Sequence, residues 1–83
     1  MTELTDSQMI NLLQLNIDSF IKYKDESYKV IRKSSSPYGD FIYIEKTPDD
    51  GKKYNLCLTK SKQLSFHVLG YLTISIPYSD ISI

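Results

Sequence analysis

The sequence predicts a small α+β protein, with an N-terminal helix followed by a strongly bent antiparallel meander of five to six strands. Three patterns carry this prediction. A helix-capping sequence precedes a short apolar stripe, four later segments alternate apolar and polar residues, and a fifth alternating segment is unusually long. Alternation with a period of two is typical of strands, whereas a stripe repeating every three to four residues is typical of helices.

The helix is predicted over about residues 6–16. Thr5 and Gln8 have the spacing of a capping box, in which each residue bonds the other's backbone N–H. The apolar stripe behind this box consists of Met9, Leu12, Leu13 and Ile17, with Ile10 beside it. We expect the stripe to cover an open side of the sheet. The alternative is an exposed helix that binds a partner.

Four strands are predicted over about 19–24, 27–34, 41–47 and 53–59, arranged as two hairpins. Asp25-Glu26 connects the first two strands, and a longer loop of turn-forming residues spans 34–40. The turn of the second hairpin runs from Thr47 to Lys52. Pro and Asp residues favour its start, and Gly51 can adopt positive φ.

The long alternating segment 66–76 predicts a fifth strand that bends at Gly70, because a glycine in a strand permits a sharp bend. Its inward side chains, predicted to lie in the core, are Phe66, Val68, Leu72, Ile74 and Ile76. Pro77 ends the ladder, residues 78–80 form a single turn, and residues 81–83 form a short final segment.

This order of an early hairpin, a loop, a central hairpin, a bent strand, a proline-containing turn and a short last strand resembles SH3-like and Sm-like small barrels. The resemblance implies a sheet that closes around one core. The chain has no paired tryptophan of the kind that peptide-binding SH3 domains use. It also differs from the glycine and asparagine signatures of Sm proteins, so the resemblance implies no functional residues.

The length of 83 residues predicts a single domain, residues 1–83. Of its residues, 41% are hydrophobic and 24% are charged, which is typical of a soluble globular protein. Ten basic and ten acidic residues cancel, which disfavours a strongly basic nucleic-acid binder and an acidic nucleic-acid mimic. The single cysteine, Cys57, cannot form an internal disulfide, and no signal peptide or membrane span is predicted. We therefore expect a cytoplasmic protein that does not associate with membranes.

The chain offers few groups for catalysis, so we predict a protein that is not an enzyme and has no cofactor or metal site. His67 is the only histidine, and it lies in the outward register of the long strand. A Cys57–His67 pair is conceivable if the two strands pair. Nothing in the pattern supplies the oxyanion donors that nucleophilic catalysis needs, and we interpret His67 as a surface residue.

The leading functional hypothesis is a small protein-interaction domain, whose exposed strand edges could also pair two copies into a homodimer. Tyrosine is a frequent interface anchor, and the chain contains seven. The candidate partner-binding residues are Tyr38, Tyr78, Tyr43, Tyr71 and His67. The small size, the neutral charge and an alanine-free composition typical of AT-rich genomes favour a phage or mobile-element accessory protein that binds and modulates, for example inhibits, a host protein.

The alternative is a small nucleic-acid-binding β-barrel, because lysines beside aromatic rings on a sheet can bind single strands. Its candidate residues are Lys22, Lys24, Lys29, Lys33, Lys46, Lys52, Lys53, Tyr23 and Tyr54. A structural interpretation competes with it. Lysines also protect sheet edges from pairing, and tyrosines in strands often bury their rings.

Overall fold

The computed structural model describes residues 3–83, which form one short helix and a curled antiparallel sheet of seven strands. The helix α1 spans Asp6–Leu13. The strands are β1 (Phe20–Tyr23), β2 (Glu26–Ser36), β3 (Gly39–Thr47), β4 (Tyr54–Thr59), β5 (Leu64–Val68), β6 (Leu72–Ser75) and β7 (Ile81–Ser82). Their order in the sheet is β6-β5-β4-β3-β2-β1-β7. The predicted helix and bent antiparallel sheet are confirmed, with seven strands instead of five or six.

Helix α1 begins as predicted but ends earlier. The Thr5 hydroxyl accepts the Gln8 backbone N–H, and the Gln8 side chain accepts the Thr5 backbone N–H, which completes the capping box. The Leu15 N–H donates to the Leu12 carbonyl at 3.2 Å, a tightened last turn that carries Leu15 into the core. Of the predicted stripe, Leu12 is buried and Met9 is half-buried, while Ile10, Leu13 and Ile17 are exposed.

The first two connections differ from the prediction: the first is shifted by one residue, and the second is shorter. Lys24 and Asp25, with φ of 50° and 63°, form the turn between β1 and β2, one residue earlier than expected. A two-residue turn with both φ positive suits the twist of a hairpin. The predicted loop 34–40 is mostly strand, because Ser36 pairs with Gly39 and leaves only Pro37 and Tyr38 in the turn.

A β-bulge interrupts β2 at Ile31. Val30 pairs with Ile44 of β3, but the next pair is Arg32 with Tyr43, so Ile31 is the extra residue. Without the bulge, Val30 and Arg32 would share a face, as their alternation predicts. With it, Val30 is buried in the core and Arg32 lies on the opposite face.

The predicted long strand 66–76 is wrong in one respect: it is two strands joined by a turn. Gly70, with φ of 80°, lies in the turn Leu69–Tyr71, and β6 folds back so that Leu72 pairs with Val68. Phe66, Val68 and Ile76 are buried as predicted. Leu72 and Ile74 are instead 47% and 37% exposed, because β6 lies at the edge of the sheet.

Four aromatic rings of the core pack together as one aromatic cluster. The Phe66 ring centroid lies 4.7 Å from that of Tyr23, 5.8 Å from that of Tyr28 and 5.7 Å from that of Tyr54. These rings come from β5, β1, β2 and β4. The cluster therefore joins strands from both halves of the sheet, which requires the sheet to curl.

No helix within residues 3–83 has the length and apolar character that crossing a membrane requires.

We expect Gly39→Ala to destabilise the fold by roughly 2–4 kcal/mol, from a steric clash added to backbone strain. Gly39 has φ of 150°, and a Cβ there would lie 2.3 Å from the Leu58 carbonyl oxygen. The control is Gly51→Ala, which has φ of 79° but no atom within 4 Å of the added Cβ, and should cost about 1 kcal/mol. Urea unfolding measures both; equal losses would contradict the steric argument.

Candidate functional site

The face of the sheet turned away from the core carries one row of side chains across five strands. The residues are in register from pair to pair, since each is the Cα partner of the next. This central row consists of Arg32, Tyr43, Asn55, His67 and Thr73. Neighbours in such a row have Cβ atoms about 4.5–5.5 Å apart, so their side chains contact one another.

A groove of about 920 Å³ lies over this row, and we call it the outer groove. The β3–β4 loop contributes Lys52 and Lys53 to its wall, and the β5–β6 turn contributes Leu69. The Leu69 N–H donates to the Lys53 carbonyl at 3.0 Å, which ties the two segments together. The volume lies in the range of ligand-binding clefts, roughly 300–1,000 Å³.

Cation–aromatic contacts characterise the outer groove. The Arg32 guanidinium carbon lies 4.2 Å from the Tyr43 ring centroid, and the Phe41 ring stacks beside Tyr43 with an interplanar angle of 28°. At the rim, the Lys52 ammonium lies 4.9 Å from the Tyr71 ring centroid. In such contacts the cation is attracted to the face of the aromatic ring, so the groove presents positive charge beside a flat apolar surface.

Acidic side chains also line the outer groove, which gives it a mixed charge. Glu45 and Asp49 lie among its lining residues together with Arg32, Lys52 and Lys53. A polyanion would therefore meet two carboxylates there as well as three cations. A partner that carries both charges, with apolar groups between them, complements this lining better.

Asn55 is the buried polar residue of the groove, at 9% exposure. None of the side-chain hydrogen bonds within residues 3–83 involves its carboxamide. Beside it, the His67 Nδ1 is held by a hydrogen bond to the Thr73 hydroxyl. The carboxamide carries two donors and an acceptor, so the floor of the groove can pair with a ligand's amide group.

The conceivable Cys57–His67 pair is not arranged for catalysis. Cys57 pairs with Ser65, whereas His67 pairs with Asn55, so the two lie diagonally on one face. Burial, and then the nearby Asp40 carboxylate, raise the pKa of the Cys57 thiol. A raised pKa keeps the thiol protonated at neutral pH, which is the opposite of what activates a nucleophile. Within residues 3–83, no three His, Cys, Asp or Glu side chains group as a metal site.

The predicted partner-binding residues fall in three places. Tyr43 and His67 line the outer groove, and Tyr71 joins its rim through Lys52. Tyr38 is 84% exposed at the β2–β3 turn. Tyr78 is half-buried beside α1, where its hydroxyl accepts a hydrogen bond from Asn11.

The residues of the nucleic-acid alternative do not form one surface. Tyr23 and Tyr54 are buried in the aromatic cluster, where neighbouring side chains cover their rings. Lys52 and Lys53 line the groove. The remaining lysines are dispersed: Lys29 pairs with Asp18, Lys46 pairs with Glu26, Lys33 donates to the Leu13 carbonyl, Lys24 lies against Tyr23, and Lys22 is on β1.

Arg32, Phe41 and Asn55 belong to the groove but are absent from both predicted sets. The period of β2 places Arg32 on the core face, and only the bulge at Ile31 reverses this. Phe41 and Asn55 alternate correctly with their neighbours. The sheet register, which the sequence alone does not provide, would have identified them.

Comparisons of the chain with protein-family models, with curated proteins and with solved structures find no match.

The loop that forms one wall of the groove is held by Asp50, and we expect Tyr54→Phe to raise the pKa of this carboxyl. The Tyr54 hydroxyl donates to Asp50 at 2.5 Å, and this bond, followed by the Lys52 backbone N–H, lowers the Asp50 pKa. The bond stabilises the fold above the ordinary carboxyl pKa, and this contribution disappears as pH falls through the lowered pKa.

The measurement is an NMR titration of the Asp50 carboxyl carbon together with unfolding at several pH values. The variant should lose stability at neutral pH, and its difference from the unmodified chain should shrink in acid. Tyr38→Phe, which removes an exposed hydroxyl elsewhere, serves as the control. An unchanged Asp50 titration in Tyr54→Phe would contradict the assignment.

Proposed function

We propose that this chain is a small non-enzymatic domain that binds another protein through the outer groove. The observation that carries the proposal is the contact between Arg32 and Tyr43 beside the buried carboxamide of Asn55. Arginine and tyrosine are among the residue types enriched at the positions that contribute most to binding at protein interfaces. In the outer groove they lie next to a polar group that is available to a partner.

The groove suits an extended peptide segment. A carboxamide matches the donor and acceptor of a peptide group, so Asn55 can bond a partner's backbone. Ile31 and Leu69, which are 43% and 58% exposed, supply apolar contacts in the lining. The cations and carboxylates around them select for a segment of complementary mixed charge.

The biological setting is proposed from the sequence. A small, neutral chain of AT-rich composition fits a phage or mobile-element accessory protein that modulates, for example inhibits, a host protein in the cytoplasm. The likeness to SH3-like and Sm-like barrels belongs to the same proposal. It is supported by the meander order of β1 to β6 and by the curl of the sheet.

Nucleic-acid binding is the second candidate function, favoured by one observation. Lys52 and Arg32 each lie against an exposed or half-exposed tyrosine ring on the same side of the sheet. Rings and cations so placed can stack bases and attract phosphates. The carboxylates of Glu45 and Asp49 oppose this use of the groove.

We expect Tyr43→Ala to weaken partner binding at least ~10-fold, since loss of a central aromatic anchor typically costs more than 1 kcal/mol. The unmodified chain, Tyr43→Ala and Tyr38→Ala are used as baits for host proteins, and captured proteins are then measured by titration. Tyr38→Ala is the matched control because it removes an equally large ring outside the groove. Equal capture by all three baits would exclude the groove as the binding site.

A parallel titration with labelled single- and double-stranded oligonucleotides at two salt concentrations separates the two candidates. Binding that weakens steeply with salt and is lost in Tyr43→Ala would favour the nucleic-acid function. No oligonucleotide binding, together with a protein partner lost in Tyr43→Ala, would favour the protein-interaction function.

A further inference from the structure

Strand β6 forms an edge of the sheet without the usual protection. All four of its residues, Leu72–Ser75, are exposed, and no other strand within residues 3–83 pairs with its outer side. From Val68 to Ser79 the sequence contains no charged residue. Proteins usually protect a sheet edge with lysine, proline, a bulge or a very short strand, because an open edge pairs with other strands.

The backbone hydrogen bonds define which groups this edge offers. The Ile76 N–H donates to the Leu64 carbonyl at 3.0 Å, so Ile76 faces β5. In an antiparallel ladder such residues alternate, which directs Leu72 and Ile74 to β5 as well. The backbone N–H and C=O groups of Thr73 and Ser75 therefore point to the open side.

We propose that β6 pairs antiparallel with β6 of a second copy of this chain, with the two-fold axis at Thr73. In this register the Thr73 N–H and C=O groups of the two copies bond each other reciprocally. The Ser75 N–H donates to the Tyr71 carbonyl of the second copy. Leu72 lies opposite Ile74 of the second copy, and Ile74 lies opposite its Leu72.

This register satisfies the backbone and the side chains at the same time. Leu72 and Ile74 share the core-side face, and both are partly exposed in a single copy. In the dimer they meet at the non-hydrogen-bonded positions, where opposed side chains approach most closely. Pro77, which lacks an N–H, ends the ladder on each side, so the pairing is confined to residues 71–75.

The occupant is a second copy because the edge is self-complementary. Like charges do not meet across the two-fold axis, since the segment has none, and the chain as a whole has net charge zero. The opposite edge of the sheet differs. There β7 has only two residues and adjoins β1, which carries Lys22 and is followed by Lys24. A short edge beside lysines resists pairing.

Dimerisation has a direct consequence for the outer groove. Thr73 is the last residue of the central row, and in the proposed register it lies opposite Thr73 of the second copy. The two central rows then form one continuous row of ten side chains across the dimer. The pairing does not depend on the proposed function, since it requires only the β6 edge. Sedimentation velocity measures whether the chain dimerises, and the partner titration measures whether the groove binds protein, so failure of one proposal can be distinguished from failure of the other.

The test introduces a charged residue at Thr73, on the two-fold axis, and then mixes variants of opposite charge. Thr73→Lys and Thr73→Glu each place like charges directly opposite one another, and each should raise the dimer dissociation constant at least ~10-fold. An equimolar mixture of the two variants should restore the dimer as a heterodimer. Sedimentation velocity over a range of concentrations measures association, and circular dichroism verifies that each exposed substitution leaves the fold intact.

The control pair is Ser61→Lys and Ser61→Glu, exposed substitutions in the β4–β5 turn that should leave dimerisation unchanged. Register is tested in a Cys57→Ser background. Thr73→Cys should be linked across the axis by a short thiol-specific crosslinker, whereas Ser75→Cys, whose counterpart is Tyr71, should be linked much more slowly.

A chain that stays monomeric at the highest soluble concentration would overturn the proposal, as would a mixture of charge variants that remains monomeric. Faster crosslinking of Ser75→Cys than of Thr73→Cys would overturn the register. Dimerisation unaffected by either Thr73 variant would show that the copies meet at another surface.

Discussion

The packing of Phe66 against Tyr23 is the interaction on which the rest of the fold depends. Their ring centroids lie 4.7 Å apart, although β5 and β1 are separated in the sheet by three other strands. In a flat sheet the two strands would lie about 19 Å apart, which is four spacings of about 4.8 Å between neighbouring strands. Contact therefore requires the sheet to curl, and each aromatic pair contributes about 0.5–1.5 kcal/mol beyond its buried area. Tyr28 and Tyr54 surround the same ring and extend this stabilisation to β2 and β4.

The curl divides the tyrosines into two groups with different roles. Tyr23, Tyr28 and Tyr54 are buried on the inner face, whereas Tyr43 and Tyr71 contact cations at the outer groove. Counting tyrosines from the sequence cannot separate these groups, because buried Tyr23, Tyr28 and Tyr54 and outward Tyr43 all alternate correctly within their own strands. The register across strands decides which rings remain available to a partner. For the same reason, a sequence with many lysines and tyrosines does not by itself imply a nucleic-acid surface.

The sequence predicts those parts of the fold that depend on local chemistry. The Thr5–Gln8 capping box and the turn around Gly51 are examples, since each is specified by a few adjacent residues. The prediction from sequence fails where a turn leaves the alternation of apolar and polar residues unchanged. Val68 and Leu72 are four residues apart, an even number, so the alternation continues in phase across the turn at Gly70. A hairpin and a bent strand then give the same pattern. At Ile31 the opposite occurs: one extra residue reverses the faces, and Arg32 joins the groove.

The turn at Gly70 also changes what the apolar residues of this segment do. In a single bent strand, Leu72 and Ile74 would extend the core alongside Phe66. In the observed hairpin they lie one strand further out, beyond the aromatic cluster, and a large fraction of each remains exposed. The buried core cluster includes Phe66, Val68 and Ile76 of this segment but neither Leu72 nor Ile74. Exposed apolar side chains on an uncharged, open sheet edge favour contact with a further strand.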